Sequence, residues 1–177
     1  MTFRQPFTAG TNNFAISIWL QPTSNDANYH GFMGNDQGAR RSPCLWVISN
    51  GLHYDSYDGT TRVAGIVDNY FTQNVWVHVV WVRVGSQFLF YKNGDYHDTV
   101  PGGASSYRAE NYWLGRVDNY YHGRLDEVAF FSHDLDANDA RQLYCDPCTV
   151  PGTYRCASTP RAACCATDRT VRFCVHK

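Results

Sequence analysis

The stretch Val75-Trp-Val-His-Val-Val-Trp-Val-Arg-Val84 decides the fold. Six valines and two tryptophans in ten residues put β-branched or aromatic side chains on both faces of an extended chain. Such a strand belongs at the centre of a sheet with a layer on either side. Outward from it, Gly85-Ser86 turns the chain into Phe88-Leu-Phe-Tyr-Lys92. Asn93-Gly94, the residue pair of a type I′ hairpin turn, then leads out through Asp95-Tyr96-His97. His78 shares a face with Trp76, Val80 and Val82, which predicts a hydrogen-bonded core histidine rather than a ligand.

The remaining strands follow the same logic. Phe14-Ala-Ile-Ser-Ile-Trp-Leu20 alternates with period two and stops at Gln21-Pro22. Cys44-Leu-Trp-Val-Ile48 reads as a strand ended by an Asn50-Gly51 hairpin turn, and Tyr112–Arg116 and Arg124–Phe131 complete the set. One helix is predicted over Ala137–Leu143, with Asp136 as its cap, Asp139 at the positive end of its dipole, and Leu135 stapled to Ala140. Short strands separated by Gly, Asn and Asp turns imply an all-β fold, a two-sheet antiparallel sandwich with one short C-terminal helix.

Composition agrees. The 177 residues are 44% hydrophobic and 15% aromatic, enough for a core, and only two Lys, two Glu and two Met stand beside twelve Tyr. Straight helix-favouring side chains are scarce and sheet-favouring ones abundant. A formal charge of −1 offers no basic field for nucleic acid, and no apolar run is long enough to insert in a membrane.

The seven cysteines divide the chain into two units, residues 1–144 and 145–177. Cys44 is alone in the first; Cys145, Cys148, Cys156, Cys164, Cys165 and Cys174 crowd the second, where the net charge turns from −4 to +3. The tail has too few large apolar residues for a core of its own, so disulfides or a metal must order it. Cys145-x-x-Cys148 with Cys174-x-His176 is the start of a zinc reading. The remaining spacing does not suit it, and adjacent Cys164-Cys165 favours three disulfides in an oxidising, extracellular setting. Cys44 either bridges to the tail or stays buried and reduced. The opening residues lack a signal peptide's apolar stretch, the expectation for a mature piece or excised domain.

In order, "FAISIWLQP", "NVWVHVVWVRVGSQFLFYKNGDY", "YWLGRV" and "YHGRLDEVAFFSHDLDANDARQLY" resemble the successive strands of the laminin-G-like, concanavalin-A-like jelly-roll family. The resemblance spans about Met1 to Tyr144. It implies a jelly roll serving extracellular adhesion and recognition of glycan or protein, often with bound calcium, and it does not imply catalysis. The glycosidase relatives' Glu-x-Asp-x-x-Glu strand and the pentraxins' His-x-Cys-x-Ser/Thr-Trp signature are both missing. The Cys-rich tail belongs to no part of the pattern. A short N-terminus would leave a sheet edge open, so the alternative to a recognition module is a building unit of a fibre or matrix, self-assembling through that edge and the tail.

Among site candidates, Asp126 is expected on one face with Val128 and Phe130, where a carboxylate needs a cation or several donors. Either Ca²⁺ is held by Asp126 and Asp118, or Asp126 accepts from loop amides or from Arg116 or Arg124. The echo of Val67-Asp-Asn-Tyr-Phe71 in Val117-Asp-Asn-Tyr-Tyr121 suggests two loops of sugar-binding chemistry, in which rings stack and Asp or Asn takes hydroxyls. With the clusters at 26–30 and 53–58, it nominates Tyr29, His30, Tyr54, Tyr57, Asp58, Asp68, Tyr70, Asn119, Tyr120 and Tyr121 as ligand contacts. No His-x-x-x-His pair, Gly-x-Ser-x-Gly turn or cysteine-protease signature occurs, so no catalytic centre is visible.

Overall fold

The computed structural model describes residues 13–35, 40–57, 59–102 and 111–145, together with the backbone of 2–3, 153–155, 164–166 and 170–173. The strands are β1 (Thr2–Phe3), β2 (Phe14–Pro22), β3 (His30–Gly34), β4 (Arg41–Ile48), β5 (Gly51–Tyr57), β6 (Arg62–Val67), β7 (Val77–Val84), β8 (Gln87–Lys92) and β9 (Asp95–Pro101). They continue with β10 (Tyr112–Leu114), β11 (Arg116–Val117), β12 (Asn119–Tyr120) and β13 (Gly123–Phe131). Helix α1 (Ala137–Cys145) follows, then β14 (Thr153–Arg155), β15 (Cys164–Ala166) and β16 (Thr170–Phe173).

Two six-stranded antiparallel sheets form, β1-β10-β3-β4-β5-β6 and β16-β13-β2-β7-β8-β9, hereafter sheets A and B. Between them lies the main core, where Ile16, Ile18, Leu20, Val79, Trp81 and Phe90 of sheet B meet Phe32, Leu45, Val47 and Leu52 of sheet A. Each large apolar side chain so buried contributes about 1.5–3 kcal/mol. β7 is apolar on both faces because its other face also packs: Val80 and Val82 lie with Ala15, Ala129 and Phe131 under Leu135, Ala140 and Leu143. Asp136 Oδ1 accepts from the amides of Asn138 and Asp139, and Asp139 Oδ2 accepts from the Asp136 amide, a reciprocal cap that starts α1 as the sequence predicts.

His78 is buried, with Nε2 2.8 Å from Ser17 Oγ. Burial pushes its pKa down to about 3, so the ring is neutral. Asn93 and Gly94 take positive φ as a type I′ turn requires. The other hairpin turns one residue earlier than expected. Ile48 pairs with Gly51, leaving Ser49-Asn50 as the turn, with Ser49 at φ 51°.

The expected facing of Asp126 is corrected. β13 carries a bulge between Asp126 and Ala129, with Glu127 at φ 47°. The extra residue reverses the alternation, so Leu125, not Asp126, joins Val128 and Phe130 against the main core. Asp126 instead pairs with Trp19, whose ring lies on the helix-covered side stacked on Tyr144. Beside β13 the Cys-rich tail adds a strand, β16, which pairs with it from Val128 to Phe131. Cys145 ends α1 as an exposed free thiol, which corrects its expected place in a bridge, and Cys164 and Cys165 lie in β15. Cys148, Cys156 and Cys174, and with them the expected bridges, lie outside the described residues.

Candidate functional site

Sheet A's outer face is built by alternation. Because Leu45, Val47, Leu52 and Tyr54 point into the core, Cys44 and Trp46 of β4, and His53, Asp55 and Tyr57 of β5, point away from it. On β6 the residues paired with these three, Ile66, Ala64 and Arg62, are exposed on the same side. The short β11–β12 hairpin lies across part of this face. Val117 packs on Cys44 and Trp46, and the Trp46 indole donates to the Val117 carbonyl at 3.2 Å. Gly31 permits the approach, since a Cβ there would sit 2.4 Å from the Val117 amide nitrogen.

Beside the hairpin lies an aromatic cluster ringed by ion pairs, open to solvent through Tyr29 while Trp46 is buried. Tyr29, 42% exposed, meets His53 edge-on with centroids 5.0 Å apart and Trp46 at 6.4 Å; His53 and Trp46 lie 5.1 Å apart. Arg41 lies 5.2 Å over the Trp46 ring and bonds Asp118 Oδ2 through Nη2 at 2.6 Å. Asp55 is buried, gripped by Arg62 through Nε at 3.2 Å and Nη2 at 2.8 Å, with Arg41 Nε 3.4 Å away. Burial pulls the His53 pKa below its ordinary value, against the pull of Asp55. Beside the cluster, the Arg116 guanidinium lies 5.2 Å from both the Trp113 and the Tyr120 rings.

The nominated residues divide accordingly. Tyr29 and Tyr57 are on this face, and Asn119 and Tyr120, the latter 66% exposed, are on the hairpin beside it. Asp68 is exposed in the turn after β6. Asp58 lies outside the described residues. Four are corrected because their side chains turn inward. Tyr54 packs on Phe88 and Phe90; Tyr70 is fully buried and donates from its hydroxyl to the Tyr91 carbonyl; Tyr121 packs on Phe32. His30 is buried with Nε2 2.9 Å from Asp26 Oδ1, an interaction that, after the Asn28 amide, helps hold Asp26 near pKa 2.

Asp118 and Asp126 do not come together. Asp118 lies in the hairpin on sheet A and bonds Arg41, whereas Asp126 lies on sheet B and accepts from the Glu127 amide at 3.0 Å. Among the described residues no group of three or more His, Cys, Asp and Glu side chains is placed to hold a metal.

Trp46, His53, Arg41, Asp55, Arg62 and Arg116 were not nominated. Period-two reading of His53-Tyr-Asp-Ser-Tyr57 would have separated His53, Asp55 and Tyr57 from the inward Tyr54. The arginines carried no local signal, because their partners are distant in sequence.

Comparison with known proteins matches this architecture. A region of adhesion G-protein coupled receptor V1 of Danio rerio is 29% identical over 104 residues, 55% of this chain and 2% of the receptor, so the chain spans a very small share of that relative. The botulinum neurotoxin serotype D binding domain superposes with a TM-score of 0.65 at 14% identity, over 81% of this chain and 38% of that one. Domain 4 of AbnA, a GH43 extracellular arabinanase from Geobacillus stearothermophilus solved with arabinotriose, gives 0.59 at 14% identity over 76% and 68%. At these identities the structures share the fold alone. The Laminin_G_3 profile of the concanavalin A-like lectin/glucanases superfamily matches residues 2–141, and the chain belongs to that family.

Proposed function

We propose that the chain is an extracellular recognition module that binds glycan on the outer face of sheet A without catalysing its conversion. The observation that carries this reading is the half-exposed Tyr29 set against His53 and Trp46 and bordered by Arg41, Arg62 and Asp55. A ring face offers stacking to the C–H side of a sugar, and guanidinium N–H groups beyond those used in the ion pairs donate to its hydroxyls. The carboxylates here are bound by arginine, which suits fixed recognition better than proton transfer. Support comes from the AbnA domain, a chain of the same fold whose structure holds an oligosaccharide, and from the adhesion receptor relative for the extracellular setting. No helix among the described residues is long and apolar enough to cross a membrane.

The test is a glycan array with the intact chain, Tyr29→Ala and His53→Ala, with and without EDTA. Binding that survives chelation and falls at least about tenfold in both variants, a loss of about 1.4 kcal/mol, is the expected result. An array silent for the intact chain, or binding unchanged in both variants, overturns the reading. Protein recognition by the same face would then be sought by capture of purified receptor ectodomains.

A further inference from the structure

The sandwich treats its sheet edges differently. Among the described residues the edge strands are β1 and β6 of sheet A and β16 and β9 of sheet B. β9 carries Asp95, Asp98 and Pro101 and a register shift against β8 between Phe90 and Tyr91. Edge charges, proline and bulges are the devices that discourage strand addition. β6 lacks them. Arg62-Val-Ala-Gly-Ile-Val67 contains no proline and pairs with β5 through six consecutive positions without a shift. Its one charged residue is Arg62, and Ile66 is 47% exposed.

We propose that the β6 edge joins the same edge of a second copy of the chain, antiparallel about a two-fold axis at Gly65, so that two copies share one continuous sheet. Antiparallel partners directly opposite each other lie on the same face, so the axis must pass through a residue. Placed at Gly65, it sets Val63 opposite the partner's Val67, Ala64 opposite the partner's Ile66, and Arg62 opposite the partner's Asp68. Every one of these contacts occurs twice, as an isologous interface requires.

Charge complementarity selects this register. Arg62 is 61% exposed although two of its N–H groups hold Asp55, which leaves donors facing outward, and Asp68 is exposed in the turn that ends the strand. An axis at Ala64 would set Arg62 against the partner's Ile66 and leave both charges unmatched. Ile66 is directly cross-strand from His53, so the dimer brings two copies of the aromatic face onto one side of a shared sheet. A bivalent surface of that kind gains avidity for a repeating ligand without any new contact. The dimer itself does not rest on the glycan reading, because it is measured by mass alone.

The experiment is size-exclusion chromatography with light scattering on the full chain without reductant, at about 100 μM, above the range of micromolar association, with a non-reducing gel to exclude an interchain disulfide. The expected mass is twice the 20.1 kDa of one chain, falling on dilution. Ile66→Lys and Asp68→Arg, both at exposed positions, should each weaken the dimer at least tenfold with the thermal midpoint of the dilute monomer unchanged, and Asp68→Glu should retain the dimer. A single-chain mass at that concentration overturns the proposal. So does a dimer indifferent to both substitutions, or a monomer that takes up a foreign extended peptide at this edge.

Discussion

Arg41 and Asp118, 77 residues apart in sequence, meet with Nη2 2.6 Å from Oδ2 and so latch the β11–β12 hairpin onto the outer face of sheet A. Asp118 takes φ 57° at the hairpin tip, and Arg41 is drawn between this carboxylate, Asp55 and the Trp46 ring. The latch borders the aromatic cluster, so its loss should be felt both in stability and in the shape of the face.

Asp118→Asn is therefore expected to lower stability by about 1–2 kcal/mol, between the ranges for exposed and buried ion pairs, since Asp118 is partly exposed and Arg41 mostly covered. Urea titration measures it as a lower midpoint with unchanged slope. A shift of less than about 0.3 kcal/mol would show that solvent screens the pair as it does an isolated surface bridge.

His78 sets a pH dependence. In the folded chain burial pushes its pKa from 6.5 down to about 3, so the unfolded chain takes up a proton that the folded chain refuses. The stability it carries is complete above pH 6.5 and drains as pH falls toward 3, at up to about 1.4 kcal/mol per pH unit. Denaturant melts between about pH 5 and 6.5, above the carboxylate reference values near 4, should show this slope, and His78→Gln should reduce it.

Tyr70 and Tyr120 occupy equivalent places in the internal echo but opposite environments. Tyr70 is fully buried, whereas Tyr120 is 66% exposed. Tyr70→Ala should cost about 3–5 kcal/mol, the range for deleting a buried aromatic ring, and Tyr120→Ala no more than about 0.5 kcal/mol. Equal costs from thermal or urea melts would contradict these placements.

Cys44 should be inert in the native chain. Its thiol donates to Asn35 Oδ1 at 3.3 Å, and burial pushes its pKa up to about 12. Alkylation at neutral pH followed by peptide mapping should label exposed Cys145 in the folded protein and Cys44 only after denaturation. Rapid native labelling of Cys44 would place it at the surface.

Much of the fold was legible in local pattern. The two-faced apolarity of β7, the Asn93-Gly94 turn and the Asp136 cap each depend on residues within one turn or one strand, and each appears where it was expected. Where the expectation failed, a single residue of phase was responsible. The β13 bulge moved Asp126 to the helix-covered side, and the Ser49-Asn50 turn came one residue early. Period two makes every such slip exchange the inside for the outside.

The candidate site was legible in part, as chemistry without place. Aromatic and Asp/Asn-rich loops were evident, but whether Tyr29 or Tyr54 faced outward depended on which side of each strand met the other sheet. By itself the sequence determined the all-β class, the central strand and the capped helix, because periodicity, turn propensity and capping act over a few neighbouring residues. Only the tertiary structure decided that Arg41, Asp55, Arg62 and Asp118 meet around Trp46, since those ion pairs join strands whose register is set by packing across the whole sandwich.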